Sequence, residues 1–281
     1  MKITEAFERG EFVVTAEVGP PKGCHIENML EEAKTYLSDI TAVNVTDNQS
    51  SVMRLGSLAV CKALKDEGLT PIFQMTCRDR NRIALESDLL SAAMFGIENL
   101  LLLTGDHTKL GDHPQAKPVF DLDSVSLIHT VKQLESGVDL GGNELVGEPP
   151  KFAKGAVVSP CSDSVDVQLA KMERKVAAGA EYFQTQAVYE PEKFIQFMEK
   201  AKQFGKPVQL GIVIPKSVGM CRYMNANVAG IHIPEEMIDE LKADKEKTKA
   251  GITGVEIAAR IIRECKPYCQ GVHIMAMGWE S

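Results

Sequence analysis

Short apolar runs, rich in β-branched residues and ending in a polar residue, recur along the chain. They are FVVTAEV (12–18), ITAVNVT (40–46), TPIFQMT (70–76), NLLLLTG (99–105), KGAVVSP (154–160), AEYFQTQ (180–186), PVQLGIV (207–213) and GVHIMAM (271–277). Runs of this length and composition predict strands. Between them, stretches such as HIENMLEEAKTYL (25–37), SVMRLGSLAVCKALKDEG (51–68) and VDVQLAKMERKVAAGA (165–180) repeat apolar residues at helical spacing. Strands that alternate with helices predict a parallel sheet, and their near-continuous apolarity predicts a sheet covered on both faces. Eight such units in 281 residues favour a closed (β/α)8 TIM barrel, a single domain over 1–281, above an open doubly wound sheet.

Two connections are longer than a barrel needs. GDHTKLGDHPQAKPVFDLD (105–123) follows the C-terminal end of the fourth strand, where barrel enzymes keep their chemistry. SGVDLGGNELVGEPPKF (136–152) precedes the fifth strand. Loops of this length are commonly functional or disordered. An additional helical segment, IPEEMIDELKADKEKTKAGITGVEIAARIIREC (233–265), precedes the last strand, and its Lys/Glu run at 240–250 reads as a solvated helix face.

Composition narrows the function classes. No apolar run reaches the length of a membrane-spanning helix, and MKITEAFERGEF lacks the apolar core of a secretory signal, so a cytoplasmic location is expected. A formal net charge of −8 without any Lys/Arg run argues against nucleic acid or an anionic membrane as partner. Seven scattered cysteines, an odd number, suggest reduced thiols rather than a disulfide framework. The C-x3-C spacing of Cys265 and Cys269 lacks further ligands nearby, and the six histidines show no ligand spacing, so no metal is expected.

In a barrel, polar residues at strand C-termini converge on one mouth. Those positions hold Glu17, Thr46, Gln74, Thr76, Asp106, Ser159, Gln184 and Gln186. Burying so many polar groups without partners costs about 1–3 kcal/mol each, so the set calls for an internal network or a ligand. Glu17 sits in the apolar context TAEVGPP, where desolvation favours a protonated carboxyl suited to acid catalysis. The competing reading is a structural Glu paired to a barrel cation. Asp106, after LLLLTG, competes with a role as helix cap or turn former, and Gln186 with one as a polar barrel-interior residue. Arg174 and Lys175 could hold a phosphate or be merely solvated.

TAEVGPP, NVTDN after strand two, QMTC after strand three, LLLTGDH after strand four, ERKVAAGAEYFQTQAVYE through strand six and GIHIPEEM resemble, in order, the short bacterial-type methylenetetrahydrofolate reductase family of flavin-binding barrels. The resemblance implies that Glu17 protonates N10 of 5,10-methylenetetrahydrofolate and that reduced flavin then delivers hydride to the 5-iminium carbon. It assigns Asp106 to the pterin and flavin, and Gln186 to the folate. Thr46, Gln74, Gly105, Arg174 and Lys175 match positions that contact FAD, the last two near its phosphates. Thr104, Gln74 and Lys171 replace residues common in relatives, and SPCSDS departs from the family pattern near the adenine half. Asn225, with Tyr223 nearby, falls where relatives carry an aromatic that stacks on nicotinamide. Two electron donors are therefore open, NADH or an iron–sulfur/zinc partner subunit of the kind used by an anaerobe branch. An oligomer is expected. The alternatives are a pterin- or folate-binding methyltransferase barrel, and a flavin subunit active only with an electron-transfer partner.

Overall fold

The structure, a computed structural model, describes residues 1–228, 230–247 and 252–278, the side chains of 245–247 aside. Eight parallel strands close into a barrel in sequence order: β1 (Val13–Val18), β2 (Ala42–Val45), β3 (Pro71–Thr76), β4 (Asn99–Leu103), β5 (Ala153–Val158), β6 (Tyr182–Ala187), β7 (Val208–Val213) and β8 (Gly271–Met275). All eight predicted runs are strands. β1 pairs with β8, Thr15 opposite His273, and so closes the ring.

Among the described residues ten α-helices accompany the strands. α1 (Ile3–Glu8) precedes β1, and α2 (Glu27–Tyr36), α3 (Ser57–Asp66), α4 (Arg82–Met94), α5 (Ser124–Glu135), α6 (Val165–Ala178) and α7 (Pro191–Ala201) fill the crossovers up to β7. Between β7 and β8 lie α8 (Val218–Asn227), α9 (Glu235–Lys247) and α10 (Ile252–Cys265). The main core is the layer between strands and helices, with Val45, Phe73, Leu100, Phe183 and Leu210 turned outward from the barrel against helix residues such as Leu64, Leu89, Leu127 and Ile261. Burial of that size is the dominant stabilising contribution to such a fold.

Two expectations need correction, and one helix was not anticipated. The run 51–68 is helical only from Ser57, because Asn48, Ser50 and Ser51 have positive φ and form an irregular turn ahead of Gly56. The polar N-terminus contains a short amphipathic helix, α1, whose Ile3 and Ala6 plug the barrel's N-terminal end against Val13, Ile72, Leu101 and Tyr182. Asn99 anchors that plug, accepting from Ile3 N at 2.7 Å. The long connection 136–152 stands at the same N-terminal end, away from the mouth. There Val138 bridges Glu144, and the Leu140 amide donates to Glu86. It serves structure there, not the mouth.

The Lys/Glu run continues α9, with Lys242 paired to Asp239 and Glu240 to Arg260 of α10. Its remainder, from 245 for side chains and 248–250 for backbone, lies outside the described residues.

Candidate active site

The eight polar residues singled out at strand ends all line one cavity of about 440 Å³ at the C-terminal mouth of the barrel. Period-two alternation brings this about. Thr15 and Glu17 on β1, Gln184 and Gln186 on β6, and His273 and Met275 on β8 each share the inward face of their strand.

Glu17 is 9% exposed. Its Oε1 accepts from Gln49 Nε2 at 3.4 Å, and its Oε2 lies 3.7 Å from His273 Nε2. The wholly apolar pocket expected for this carboxyl is therefore wrong in one respect. The local sequence is apolar, but β8 and the turn after β2 bring an imidazole and an amide to it. Nor is Glu17 tied to a barrel arginine or lysine among the described residues. His273, 4% exposed, bonds through Nδ1 to Thr15 Oγ1 at 3.0 Å. That bond holds the ring so that Nε2 faces Glu17. Sequence reasoning missed His273. Its signal was a histidine in the inward phase of a strand otherwise apolar on that face.

Below this layer the barrel interior holds a closed amide network. Gln184 Nε2 donates to Asn44 Oδ1 at 3.2 Å and to Gln209 Oε1 at 3.2 Å, and Asn44 Nδ2 donates to Gln184 Oε1 at 2.9 Å. Gln209 Nε2 in turn donates to Thr15 Oγ1 at 3.1 Å. Gln184 forms the floor of the cavity and is satisfied internally, while Gln186, two residues on, stands at the mouth. A register shift between β6 and β7 at Gln184–Ala187 bends the strand there, with Gly211 N donating to Thr185 Oγ1 at 2.8 Å.

Across the mouth, Thr46 and Gln74 line the side formed by β2 and β3, and Gly105 and Asp106 the side formed by β4. Gly105 has φ +92°, and a Cβ there would approach Thr76 Cβ to 3.0 Å and Arg78 Cβ to 3.2 Å, so a glycine suits this close packing at the end of β3. Asp106 caps no helix; Asp123 caps α5, accepting from Ser126 N at 2.8 Å. The Asp106 carboxylate is exposed to the cavity, without a hydrogen-bond partner among the described residues. Asp47, unremarked in the sequence, is the architectural acid of the rim. It accepts from Thr76 N at 2.8 Å and Oγ1 at 2.9 Å, and pairs with Arg80.

α6 closes the opposite wall with Gln168, Lys171 and Lys175. Lys175 Nζ donates to Val157 O at 2.6 Å. Burial pushes its ammonium down to about 8, and the Lys171 charge adds to the shift. Arg174 is exposed on the flank of α6 and lies outside the cavity lining. Asn225 and Tyr223 are also outside it. The Asn225 side chain is used structurally, donating to Ile233 O at 2.9 Å and accepting from Ile233 N at 2.7 Å, and Tyr223 is 65% exposed.

Among the described residues no group of three or more His, Cys, Asp or Glu is arranged to hold a metal, and no helix is long and apolar enough to cross a membrane. The Cys269 thiol donates to Cys265 O at 3.5 Å.

Comparison with known proteins places these features. The chain is 24% identical to the Escherichia coli 5,10-methylenetetrahydrofolate reductase over 265 residues, covering 91% of this chain and 82% of that one. It is 25% identical over 223 residues to methylenetetrahydrofolate reductase 2 of Schizosaccharomyces pombe, but spans only 34% of that longer protein. In fold it resembles a Clostridium thermocellum protein that binds two copies of 5-methyl-5,6,7,8-tetrahydrofolic acid, with a TM-score of 0.67 at 15% identity over 99% of this chain and 94% of that one. The family model for methylenetetrahydrofolate reductase matches residues 2–281, and the chain belongs to that family.

Proposed function

We propose that the chain reduces 5,10-methylenetetrahydrofolate to 5-methyltetrahydrofolate with FAD as its redox cofactor. The observation that carries this reading is Glu17, a buried carboxyl that opens onto the same cavity as Asp106 and Gln186. Family membership supplies the substrate class.

The residues present fit a flavin dinucleotide. Gly105 lines the cavity without a side chain, and Thr46 and Gln74 offer hydrogen-bonding groups on the adjoining wall. Lys175 and Lys171 provide cations for the phosphates. Arg174 joins them on the strength of the family resemblance, from the flank of the same helix. Bound flavin supplies the hydride.

The protein's own residues do the rest. Glu17 transfers its proton to N10. The bond between N10 and the bridging methylene breaks with its electron pair going to N10, and N5 stabilises the resulting cation as the iminium. Asp106 places negative charge beside that cation, a preorganised electrostatic contribution. Gln186 orients the pterin. His273, held by Thr15, orients the Glu17 carboxyl. The electron donor we favour is an iron–sulfur/zinc partner subunit rather than NADH, because Asn225 is committed to Ile233 and Tyr223 lies outside the cavity.

The test is an anaerobic absorbance titration of the purified, FAD-loaded chain. Bleaching of the flavin by 5-methyltetrahydrofolate is the expected result, the half-reaction run in reverse. A protein that binds the folate but cannot hold FAD overturns this reading in favour of a pterin-binding methyltransferase. Rapid bleaching by NADH refutes the partner-subunit assignment.

A further inference from the structure

Arg78 is buried where three loops of the barrel mouth meet, and the reaction described above gives it no part. It lies two residues beyond β3. Its Nε and Nη2 hold the Asp79 carboxylate at 2.9 and 2.6 Å. Nη2 also donates to Asn48 O at 3.3 Å in the turn after β2, and Nη1 to Asp106 O at 3.5 Å in the loop after β4.

The rest of the residue serves the same junction. A Cβ on Gly105 would meet Arg78 Cβ at 3.2 Å, so the loop after β4 rests on the arginine stem. The Arg78 carbonyl accepts from Val119 N at 2.8 Å, which fastens the far end of the connection 105–123. Asp79 balances the buried charge, as a guanidinium removed from water requires. The two backbone carbonyls add nothing to that balance. What they gain from Arg78 is a fixed separation, because the guanidinium is planar and its donors point in set directions.

Those carbonyls belong to the two sides of the proposed chemistry. Asn48 directly precedes Gln49, whose Nε2 donates to Glu17 Oε1 at 3.4 Å. Asp106 itself carries the carboxylate assigned to the iminium cation. One guanidinium therefore joins the turn that holds the proton donor to the loop that carries the anion.

We propose that Arg78 is a positioning residue for the reduction, setting the span across the mouth between Glu17 and Asp106. The inference rests on the proposed function. It makes acid and anion a coupled pair, held at the separation that N10 and the iminium demand within one folate.

Single-turnover reoxidation of dithionite-reduced flavin by 5,10-methylenetetrahydrofolate, followed anaerobically in the FAD-loaded chain, tests it. Arg78→Met keeps the stem and removes the fork, and the rate at saturating folate should fall by about 10²-fold, the effect of a small misplacement of reacting groups. Half-saturation by folate and FAD affinity should stay near wild type. Arg78→Lys keeps the pair with Asp79 but cannot reach both carbonyls, and should retain about a tenth of the wild-type rate. Asp106→Asn removes the anion and keeps the backbone carbonyl, so in that background Arg78→Met should cost about tenfold less than in wild type. Should Arg78→Met fail to hold FAD, Arg78→Lys carries the same comparison. An undiminished rate, a loss confined to half-saturation, or a loss that adds fully to that of Asp106→Asn overturns the proposal. Failure of the wild-type reduced flavin to react with the folate overturns the reading of the barrel mouth itself.

Discussion

At the scale of single residues, two groups carry opposite demands. On the proposed function, Glu17 has to give up a proton inside a cavity, and its neutral isostere keeps the shape and the Gln49 contact while removing the acid. Glu17→Gln should lower folate reduction by at least about 10²-fold while flavin reduction by dithionite proceeds unchanged. Stopped-flow traces of both half-reactions check this, and retained folate turnover refutes the acid role. In its proposed role Lys175 has to be charged to hold a phosphate, yet its burial depresses it to about 8. In the free fold the charged form is the disfavoured one, so the unliganded protein gains stability as pH rises from about 8 toward the unfolded value of 10.5. Binding runs the other way, because a phosphate partner needs the proton present. FAD affinity, read by quenching of flavin fluorescence, should therefore fall between about pH 8 and 10. Lys175→Met should bind more weakly and show a flatter profile.

At the scale of elements, strands were legible and the segments between them less so. Every strand announced itself through apolar β-branched runs, and the parity of each run placed its inward side chains, which is why the strand-end polar residues converge as expected. The turn after β2 was illegible because Asn48, Ser50 and Ser51 adopt positive φ without being glycine, a conformation imposed from outside. The strap 105–123 packs against that turn. Gly111 lies so close that a Cβ there would meet Ser51 O at 1.7 Å. Asp112 accepts from Met53 N at 3.0 Å and pairs with Lys22, which holds its carboxyl well below the usual range. No sequence pattern reports such a clamp between loops about 60 residues apart. Gly111→Ala should part the strap from the 48–53 turn, which also carries Gln49, the amide bonded to Glu17. Limited proteolysis should then cleave within 105–123 faster than in wild type, and folate reduction should slow while the melting temperature changes little. An unchanged digestion rate rules out the clamp.

For the whole molecule, the question is what holds a closed ring of strands around an interior that is polar at mid-height. Thr15, Asn44, Gln184 and Gln209 come from β1, β2, β6 and β7, and each is almost fully buried. The Asn44–Gln184 and Gln209–Thr15 bonds join strands that share no ladder, while Gln184–Gln209 links the neighbours β6 and β7, and together they act as spokes that complement the backbone ring. Gln184 is the hub, with contacts to all three of the others. A polar residue at a strand end read equally well as site or as scaffold in the sequence, since the local pattern around Gln184 and Gln186 is the same. Only the register shift and the partners across the lumen separate them. Removing the hub leaves Asn44 and Gln209 with unmet hydrogen bonds in a space shielded from water, a penalty of about 1–3 kcal/mol for each orphaned group. Gln184→Leu, nearly equal in volume, should thus destabilise the chain by roughly 2–5 kcal/mol and lower its melting temperature by roughly 5–15 °C. The buried thiols offer a second readout of the same event. Cys77, Cys161 and Cys265 are pushed up to about 12, 11 and 12 by burial, whereas Cys24 is exposed. Native protein should therefore alkylate at Cys24 alone near neutral pH, and Gln184→Leu should admit label to the six buried thiols at lower urea than wild type. A variant with wild-type melting and labelling would assign barrel closure to the backbone ladders and the outer core, with the amide spokes adding nothing to it.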